Sequence, residues 1–152
     1  MMRQGSFLRG VLGLEEIPKY QKGWGFEYVI ANDRDYCGKE LVLYEGKKCS
    51  IHYHKIKKET FFVITGNMVV DLYDRPFEVE NGDLARTVEE LLGTGQLETE
   101  SVNMTVGDSL LIEPGIPHRF LGLAKETHFM EFSTEHFEWD SYRIWPGDSQ
   151  TQ

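Results

Sequence analysis

Three residues near the middle of the chain have the types and spacing of metal ligands. His52 and His54 are one residue apart, so on a β-strand both imidazoles project from the same face. Glu59 follows after a predicted turn and can return to that face on the adjacent strand. Imidazoles with a carboxylate suit a divalent first-row metal. The segment between Gly46 and Gly66 therefore predicts a metal site.

A second segment, residues 107–118, provides one more histidine. It predicts a strand, a turn at Pro114-Gly115, and His118 entering the next strand. With His118, the set has three histidines and one carboxylate and leaves one or two coordination positions open. Open positions are typical of a catalytic metal rather than a structural one. We expect one divalent transition metal (Mn, Fe, Co, Ni or Zn), held by His52, His54, Glu59 and His118.

The elements that must position these ligands read as short strands. Apolar stretches rich in Val, Ile, Phe, Tyr and Thr recur along the chain, with turn residues such as Asn, Asp, Gly and Pro between them. The stretches are residues 26–31, 40–44, 49–53, 60–65, 68–73, 102–106, 109–112, 118–121 and 128–132. Many short strands about ten residues apart predict an all-β sandwich or barrel.

One stretch has helical rather than strand periodicity. Residues 84–92 carry apolar side chains at positions 84, 88, 91 and 92. Asp83 can cap the start of a helix there, and Gly93 can end it. We expect a short surface helix inserted between two strands. It either covers a sheet edge or acts as a lid over a site.

Length and charge exclude several classes of protein. The 152 residues, 40% of them hydrophobic, make one domain with a sizeable core. Sixteen basic and 25 acidic residues give a net charge of 16 − 25 = −9. A chain this acidic is a poor candidate for binding nucleic acid or an anionic membrane through its overall charge. No apolar run approaches the roughly 20 residues of a membrane span, so neither nucleic acid nor membrane is an expected partner.

The same features bear on the compartment. The N-terminal residues are interrupted by Arg3 and Arg9 and lack the continuous apolar segment of a signal peptide. Cys37 and Cys49 are the two cysteines, and without a secretion signal they indicate free thiols in a reducing environment. A cytoplasmic location is the expectation.

The two histidine segments resemble the paired motifs of the cupin superfamily. The first motif matches at its defining positions, which are Gly46, His52, His54, Glu59 and Gly66; the second matches at Gly107, Gly115 and His118. The second departs at Glu113, where many cupins have proline, and at Gly122, where they have asparagine. The resemblance implies a double-stranded β-helix, or jelly-roll, barrel. The 40 residues between the motifs are many for the superfamily, and the inserted helix accounts for part of them.

The resemblance also divides the chain, which we expect to be one cupin domain over residues 1–152. The barrel is expected over residues 24–134, with an N-terminal arm of residues 1–23 and a C-terminal tail of residues 135–152. Cupins are commonly dimers. The apolar residues of the arm are not obviously needed by the barrel, so we expect them to form a homodimer contact.

Two further patterns resemble the sugar isomerases among the cupins. Residues 52–59 contain His-x-His-x-x-Lys-x-Glu, similar to the metal-site segment of lyxose isomerase. The closing strand at residues 130–134, with Asp140 and Arg143 after it, is loosely similar to the tail of the lyxose and mannose-phosphate isomerase cupins. The resemblance implies a metal-dependent isomerase or epimerase. Its substrate would be a small molecule, either a sugar or a sugar phosphate.

Isomerisation of an aldose to a ketose needs groups that move a proton between C1 and C2. Glu131 and Lys57 are the candidates, although each could instead be a solvated surface residue. Arg143 is a candidate for binding an anionic substrate. Whether the carboxylate in the pocket belongs to Glu113 or to Glu131 stays open at this stage.

Two other functions use the same ligand set. A non-haem iron dioxygenase would leave coordination positions for oxygen and substrate. A non-catalytic sugar-binding cupin would use the metal only to anchor its ligand. Nothing in the chain resembles a phosphate-binding loop, a serine nucleophile elbow or a DNA-binding helix, so those classes are excluded.

Overall fold

Short antiparallel strands are the main secondary structure of the protein. A computed structural model describes residues 3–4 and 10–150, without the side chains of residues 3, 4, 149 and 150. In chain order the strands are β1 (Arg3–Gln4), β2 (Gly10–Val11), β3 (Lys19–Lys22), β4 (Gly25–Asn32), β5 (Cys37–Tyr44), β6 (Ile51–Tyr53), β7 (Glu59–Thr65), β8 (Asn67–Tyr73), β9 (Thr99–Thr105), β10 (Ser109–Ile112), β11 (His118–Gly122), β12 (Glu126–Ser133) and β13 (Tyr142–Trp145). One α-helix, α1 (Leu84–Gly93), lies between β8 and β9. Single 3₁₀ turns occur at Leu14–Glu16, Glu80–Gly82, Glu138–Asp140 and Gly147–Gln150.

Two antiparallel sheets pack face to face. The six-stranded sheet has the order β10-β7-β12-β5-β4-β3, and the five-stranded sheet has the order β13-β6-β11-β8-β9. Strands β1 and β2 pair separately. Both large sheets mix strands from distant parts of the chain, as in a jelly roll. This topology places β6 and β11, which carry histidines, beside each other and opposite β7, which carries Glu59.

Aromatic and aliphatic side chains fill the space between the sheets. On β7, the buried side chains of Phe61 and Val63 alternate with less buried ones, as a strand with one core face requires. Phe129 lies 5.2 Å from both Phe61 and Phe120, ring centroid to ring centroid, with the rings steeply inclined. Such edge-to-face contacts add stability beyond the burial of the rings.

The inserted helix is close to its prediction. Helix α1 covers Leu84–Gly93 where residues 84–92 were expected, and the Asp83 side chain caps it by accepting a hydrogen bond from the Arg86 N–H. Leu84, Val88 and Leu91 pack on a second apolar cluster formed by Ile51, Tyr73 and Leu97. The helix therefore covers the outer face of the five-stranded sheet rather than a sheet edge, and it contributes no residue to the cavity beside the histidines.

The expected all-β fold with one short inserted helix is confirmed. The two sheets extend past residues 24–134, because β3 and β13 each join one of them. In the N-terminal arm, Phe7 and Leu8 lie outside the described residues, whereas Val11, Leu12 and Leu14 are exposed. The dimer contact expected there stays a prediction. Among the described residues, no helix has the length and apolar character needed to cross a membrane.

Candidate metal centre

Three histidine side chains converge at one end of the space between the sheets. His52 on β6 and His118 at the start of β11 are directly opposite in register, and their ring centroids are 4.6 Å apart. His54 lies just after β6, with its ring centroid 5.2 Å from that of His52. One potential ligand atom from each histidine lies within 4.8 Å of the other two. The pairing of β6 with β11 thus places three imidazoles together.

Hydrogen bonds determine which ring nitrogen of each histidine faces the centre. The Nδ1 atoms lie 3.0 Å from Ser50 O for His52, 3.0 Å from Asp140 O for His54, and 2.9 Å from Ile116 O for His118. A carbonyl oxygen only accepts hydrogen bonds, so these contacts favour the tautomer in which each Nδ1 carries the proton and donates it, and the Ser50 hydroxyl, 3.1 Å from His52 Nδ1, accepts from the same N–H. Each Nε2 is then left with a free lone pair. This is the tautomer in which backbone carbonyls orient histidine for a metal.

Glu59 completes the donor set. It is the first residue of β7, and its Oε1 lies 2.7 Å from His118 Nε2 and 3.8 Å from His54 Nε2. Both Glu59 Oε1 and His118 Nε2 are buried without a hydrogen bond. Two acceptor atoms this close in a buried place need a cation or a proton between them. The residues present therefore fit a divalent metal held by three imidazoles and one carboxylate.

The ionisation of these groups favours metal binding. Burial lowers the pKa of His52 well below its ordinary value, and the neighbouring His118 and His54 lower it further. Burial also lowers the pKa of His54. For Glu59, burial opposes ionisation, but Lys57 and His118 outweigh it and hold the carboxyl pKa well below its usual range. His52 and His54 are therefore held in the neutral form and Glu59 in the ionised form, which are the forms that bind metals.

Lys57 is buried beside the donor set and joins two carboxylates. Its Nζ lies 2.8 Å from Glu131 Oε2 and 3.2 Å from Glu59 Oε2. Burial by itself favours the neutral amine, but the charges of Glu131 and Glu59 outweigh it and raise the pKa of Lys57 above its ordinary value. Lys57 is therefore an ammonium ion that connects a candidate metal ligand to a second acid.

The loop that carries Lys57 is held by a residue near the C-terminus. The carboxylate of buried Asp140 accepts hydrogen bonds from the backbone N–H groups of Lys55, Ile56 and Lys57 at 2.9, 3.2 and 3.0 Å. The Asp140 carbonyl also accepts the His54 Nδ1 hydrogen bond. In the sequence, Asp140 stood out only as part of a tail similar to that of the isomerase cupins. Its contacts span more than 80 positions, which local spacing does not reveal.

His136 is a second residue of the site that sequence reasoning missed. Its Nδ1 lies 3.2 Å from Lys57 Nζ, and its Nε2 lies 3.1 Å from Glu138 Oε1. The side-chain amide of Asn32 holds the His136 backbone through both its N–H and its carbonyl. A lone histidine after the last predicted strand has no ligand spacing, so no pattern in the sequence marked it.

A cavity of about 90 Å³ opens beside these groups. Five of the predicted site residues line it: His52, His54, Lys57, Glu131 and Arg143. Glu59 and His118 contact each other in the donor set but do not line the cavity. Of the two acids left open by the sequence, Glu131 lines the cavity. The Glu113 side chain is 57% exposed, lies 3.8 Å from Lys58 Nζ, and does not line the cavity.

Solved structures share this fold at low sequence identity. An oxalate decarboxylase from Lactobacillus farciminis aligns with a TM-score of 0.65 and 19% identity over 88% of this chain and 35% of that chain. The capsular polysaccharide assembling protein CapF from Staphylococcus aureus aligns with a TM-score of 0.64 and 15% identity, over 85% of this chain and 34% of its own. This chain thus spans about a third of the length of either protein. No curated protein matches it in a sequence comparison.

KdgF from Halomonas sp. is aligned over most of both chains. It has a TM-score of 0.54 and 13% identity, and the alignment covers 74% of this chain and 80% of that one. Identities this low show the cupin fold and nothing more. The family comparison goes further, because the model for D-lyxose isomerase matches residues 26–138. That range includes the three histidines, Glu59, Lys57 and Glu131. The chain therefore belongs to the D-lyxose isomerase family, a family of sugar isomerases with the cupin fold.

Proposed function

We propose that this protein is a metal-dependent aldose–ketose isomerase whose substrate is a free sugar of the D-lyxose type. One observation supports this most directly: a buried Lys57–Glu131 ion pair lines the cavity and lies beside a three-histidine, one-glutamate donor set. The family supports the same substrate class. Isomerisation needs an electrophile for two neighbouring oxygens and an acid–base group for the proton on carbon. The cavity contains residues suited to both tasks.

The donor set would hold a divalent transition metal through His52, His54, Glu59 and His118. Three imidazoles and a carboxylate suit Mn, Fe, Co, Ni and Zn. When bound, such a metal polarises the carbonyl and the neighbouring hydroxyl of the sugar. The chain contributes the orientation of the imidazoles, because each Nδ1 is tied to a backbone carbonyl and cannot rotate freely.

Glu131 is the proposed proton carrier. In the forward direction its carboxylate accepts the proton from C2 of the aldose. The C2–H electron pair forms the C1–C2 double bond of the enediol, and the C1=O π electrons move onto O1. The resulting carboxylic acid then returns the proton to C1, which gives the ketose and restores the carboxylate. The hydroxyl proton moves from O2 to O1 in the same reaction, so no oxidant or further reactant is consumed. The position of Glu131 on the cavity wall suits this role.

Lys57 is proposed to stabilise the negative charge that develops on the substrate oxygens. Its ammonium already donates to Glu131 and to Glu59, and it is almost completely buried. A buried ammonium next to developing negative charge acts more strongly than one in water. Lys57 also positions the Glu131 carboxylate by direct hydrogen bonding. Both effects depend on Asp140, which holds the loop that carries Lys57.

The balance of charge supports an uncharged sugar over a sugar phosphate. Apart from the histidines, three cationic side chains line the cavity (Lys39, Lys57 and Arg143), and so do three acids (Glu27, Glu131 and Glu138). Two other lysines close to Lys57 in the sequence have contacts elsewhere. Lys55 lies 4.4 Å above the Tyr142 ring, and Lys58 is paired with Glu113. Arg143 is exposed on β13 opposite His52, and we propose that it binds substrate hydroxyls at the entrance.

Proton NMR in D₂O tests this proposal. Metal-loaded protein is incubated with D-lyxose, with other aldoses and ketoses, and with their phosphates. We expect loss of the C2–H signal of D-lyxose together with appearance of the ketose. His118→Ala is expected to abolish this exchange, because it removes a metal ligand. His128→Ala is the matched control, since His128 lies on β12 but outside the cavity, paired with Glu40.

Absence of exchange across the whole panel would contradict the isomerase proposal. Oxygen uptake by iron-loaded protein would then favour the dioxygenase. Ligand binding without turnover would favour the non-catalytic sugar-binding cupin. Exchange with the sugar phosphates alone would retain the reaction but contradict the inference from the charge balance.

A further inference from the structure

A second pair of charged residues lines the cavity away from the histidines. Lys39 on β5 and Glu27 on β4 belong to the six-stranded sheet, and Lys39 is directly opposite Glu131 in register. The side chain of Lys39 is only 6% exposed and that of Glu27 only 12%. The reaction proposed above uses neither residue.

These two groups have unused hydrogen-bonding capacity. Lys39 Nζ lies 3.7 Å from Glu27 Oε1, which is an ion-pair distance but longer than a hydrogen bond. The next cation, Lys22 Nζ, is also beyond hydrogen-bond reach, at 3.9 Å from the same oxygen. Within residues 10–148, whose side chains are described, neither the Lys39 ammonium nor the Glu27 carboxylate makes a hydrogen bond. A nearly buried ammonium without a hydrogen bond is costly unless a ligand or water satisfies it.

We propose that Lys39 and Glu27 form a subsite for neighbouring hydroxyl groups of the substrate, an inference that rests on the proposed function. The ammonium donates to one hydroxyl oxygen, while the carboxylate accepts the proton of the adjacent hydroxyl. The pair has no net charge, and its carboxylate would repel a phosphate. Donor and acceptor side by side therefore select a polyol rather than an anion.

The location of the pair indicates which part of the sugar it binds. Strand β5 is two strands away from β7, which carries Glu59, so the two backbones are about 10 Å apart. Glu131, the proposed proton carrier, is on β12 between them. A sugar with C1 and C2 at Glu131 thus directs its distal hydroxyls toward Lys39 and Glu27. The subsite makes the enzyme sensitive to the length and configuration of the distal carbon chain.

Ligand binding tests the subsite without requiring turnover. Proton NMR measures the affinity of zinc-loaded protein for xylitol, a five-carbon polyol that cannot be isomerised. Lys39→Met preserves the length of the side chain and removes its charge, and Glu27→Gln removes the charge of the partner. Each is expected to weaken xylitol binding at least about tenfold, the effect of losing a charged hydrogen bond.

Lys22→Met is the matched control. Lys22 lies only 0.2 Å farther from Glu27 Oε1 than Lys39 does, at 3.9 Å against 3.7 Å, but its side chain is 32% exposed and does not line the cavity. We expect it to change xylitol affinity by less than about twofold. Thermal unfolding verifies that each variant is folded. If Lys39→Met does not fold, Glu27→Gln, which changes one atom, provides the test.

Turnover separates the subsite from the reaction. For wild type and Lys39→Met, kcat/KM is compared for D-lyxose and for glyceraldehyde, a three-carbon aldose that lacks the C4 and C5 hydroxyls of D-lyxose. We expect at least about a tenfold loss for D-lyxose and a change within about twofold for glyceraldehyde. Equal kcat/KM for D-lyxose in the two proteins, or unchanged or absent xylitol binding, would overturn the subsite and leave the isomerase proposal intact. Xylitol binding that depends on Lys39 without exchange on any sugar would support the subsite and reject the isomerase.

Discussion

The interior of the barrel has two regions, a polar mouth and an apolar floor, and the same strand faces contribute to both. On β7, the inward face passes from Glu59 to Phe61, and on β11 it passes from His118 to Phe120. On β12, Phe129 and Glu131 occupy the floor and the mouth in the same way. Alternation along a strand therefore determines which side chains point inward. Position along the strand determines whether an inward side chain belongs to the polar mouth or to the apolar floor.

The two regions make different contributions to the free energy. The floor stabilises the fold because apolar area leaves water and the rings interlock. The mouth buries charges and neutral imidazoles, which costs desolvation energy that ion pairs and hydrogen bonds offset. For Glu59 Oε1 and His118 Nε2, no hydrogen bond offsets the desolvation cost of burial. We therefore expect floor residues to govern stability and mouth residues to govern metal binding and activity.

The largest effect on stability is expected for truncation in the floor. Phe129 is completely buried in contact with two other aromatic rings, so Phe129→Ala is expected to cost about 3–5 kcal/mol of unfolding free energy. Urea denaturation followed by circular dichroism measures this change. The control is Phe132→Ala, because Phe132 is on the same strand but is 51% exposed. Similar losses for the two variants would contradict the assignment of a stabilising floor.

A smaller effect on stability, but a marked effect on metal binding, is expected at the mouth for Asp140→Ala. This change removes the acceptor of three backbone N–H groups and loosens the segment whose carbonyl orients His54. We expect metal affinity to fall about 10- to 100-fold, as is typical when a residue that orients a metal-ligating side chain is removed. A chelator competition assay measures the affinity. Asp140→Asn retains one acceptor oxygen and is expected to be intermediate; an unchanged affinity in both variants would exclude the positioning role.

The pH dependence of stability is expected to reflect the histidines of the mouth. In the metal-free protein, the pKa of His54 is lowered in the folded state, so on acidification the unfolded chain takes up the proton first, near its ordinary value of 6.5. The unfolded state then binds more protons, and stability is lost as the pH falls below about 6.5. Chemical denaturation at several pH values measures this slope. His54→Gln is expected to flatten it and His128→Gln to leave it in place; the reverse result would place the titrating group outside the mouth.

The smallest effect concerns Cys49, which lies at the boundary of the two regions. It lines the cavity and is also packed in the floor, where its Sγ accepts a hydrogen bond from the Phe120 N–H. Burial raises the pKa of its thiol to about 12. The thiol therefore stays neutral and is expected to resist iodoacetamide at pH 8 in the folded protein, although it lines a cavity.

The same shift has a consequence at high pH. The unfolded chain loses the Cys49 proton near pH 9.0, whereas the folded chain retains it until about 12, so stability is expected to fall as the pH rises above about 9.

The iodoacetamide prediction is measured by mass spectrometry after labelling, which locates the modified cysteine; urea-unfolded protein is the control. Rapid labelling of folded Cys49 would show that it behaves as part of the mouth.

Much of this organisation follows from local patterns in the sequence. The i, i+2 histidines, the glutamate after the turn, and the histidine after Pro-Gly indicated one ligand set, because local spacing determines which side chains share a strand face. The helix was predicted within one residue, since the apolar period and the Asp83 cap are local signals. The prediction that failed concerned what the helix covers. Contact with Ile51 and Tyr73 depends on how distant strands are arranged.

The residues that sequence reasoning missed have long-range contacts in common. His136 and Asp140 reach Lys57 and its loop from 79 and 83 positions away. Lys39 and Glu27 face the cavity because β4 and β5 join the sheet next to β12. No periodicity connects such positions. They are brought together by strand register, which forms only when the whole sheet is assembled.

By itself, the sequence determined the strand pattern and the inserted helix, and it predicted a candidate ligand set of three histidines and one glutamate. These follow from short-range geometry, which spacing encodes directly. The tertiary structure decided that Glu131 rather than Glu113 reaches the cavity, that Lys57 is buried instead of solvated, and that Lys39 and Glu27 lie beside them. Burial and ion pairing depend on what packs against a side chain from elsewhere in the chain, and only the assembled sheets specify that environment.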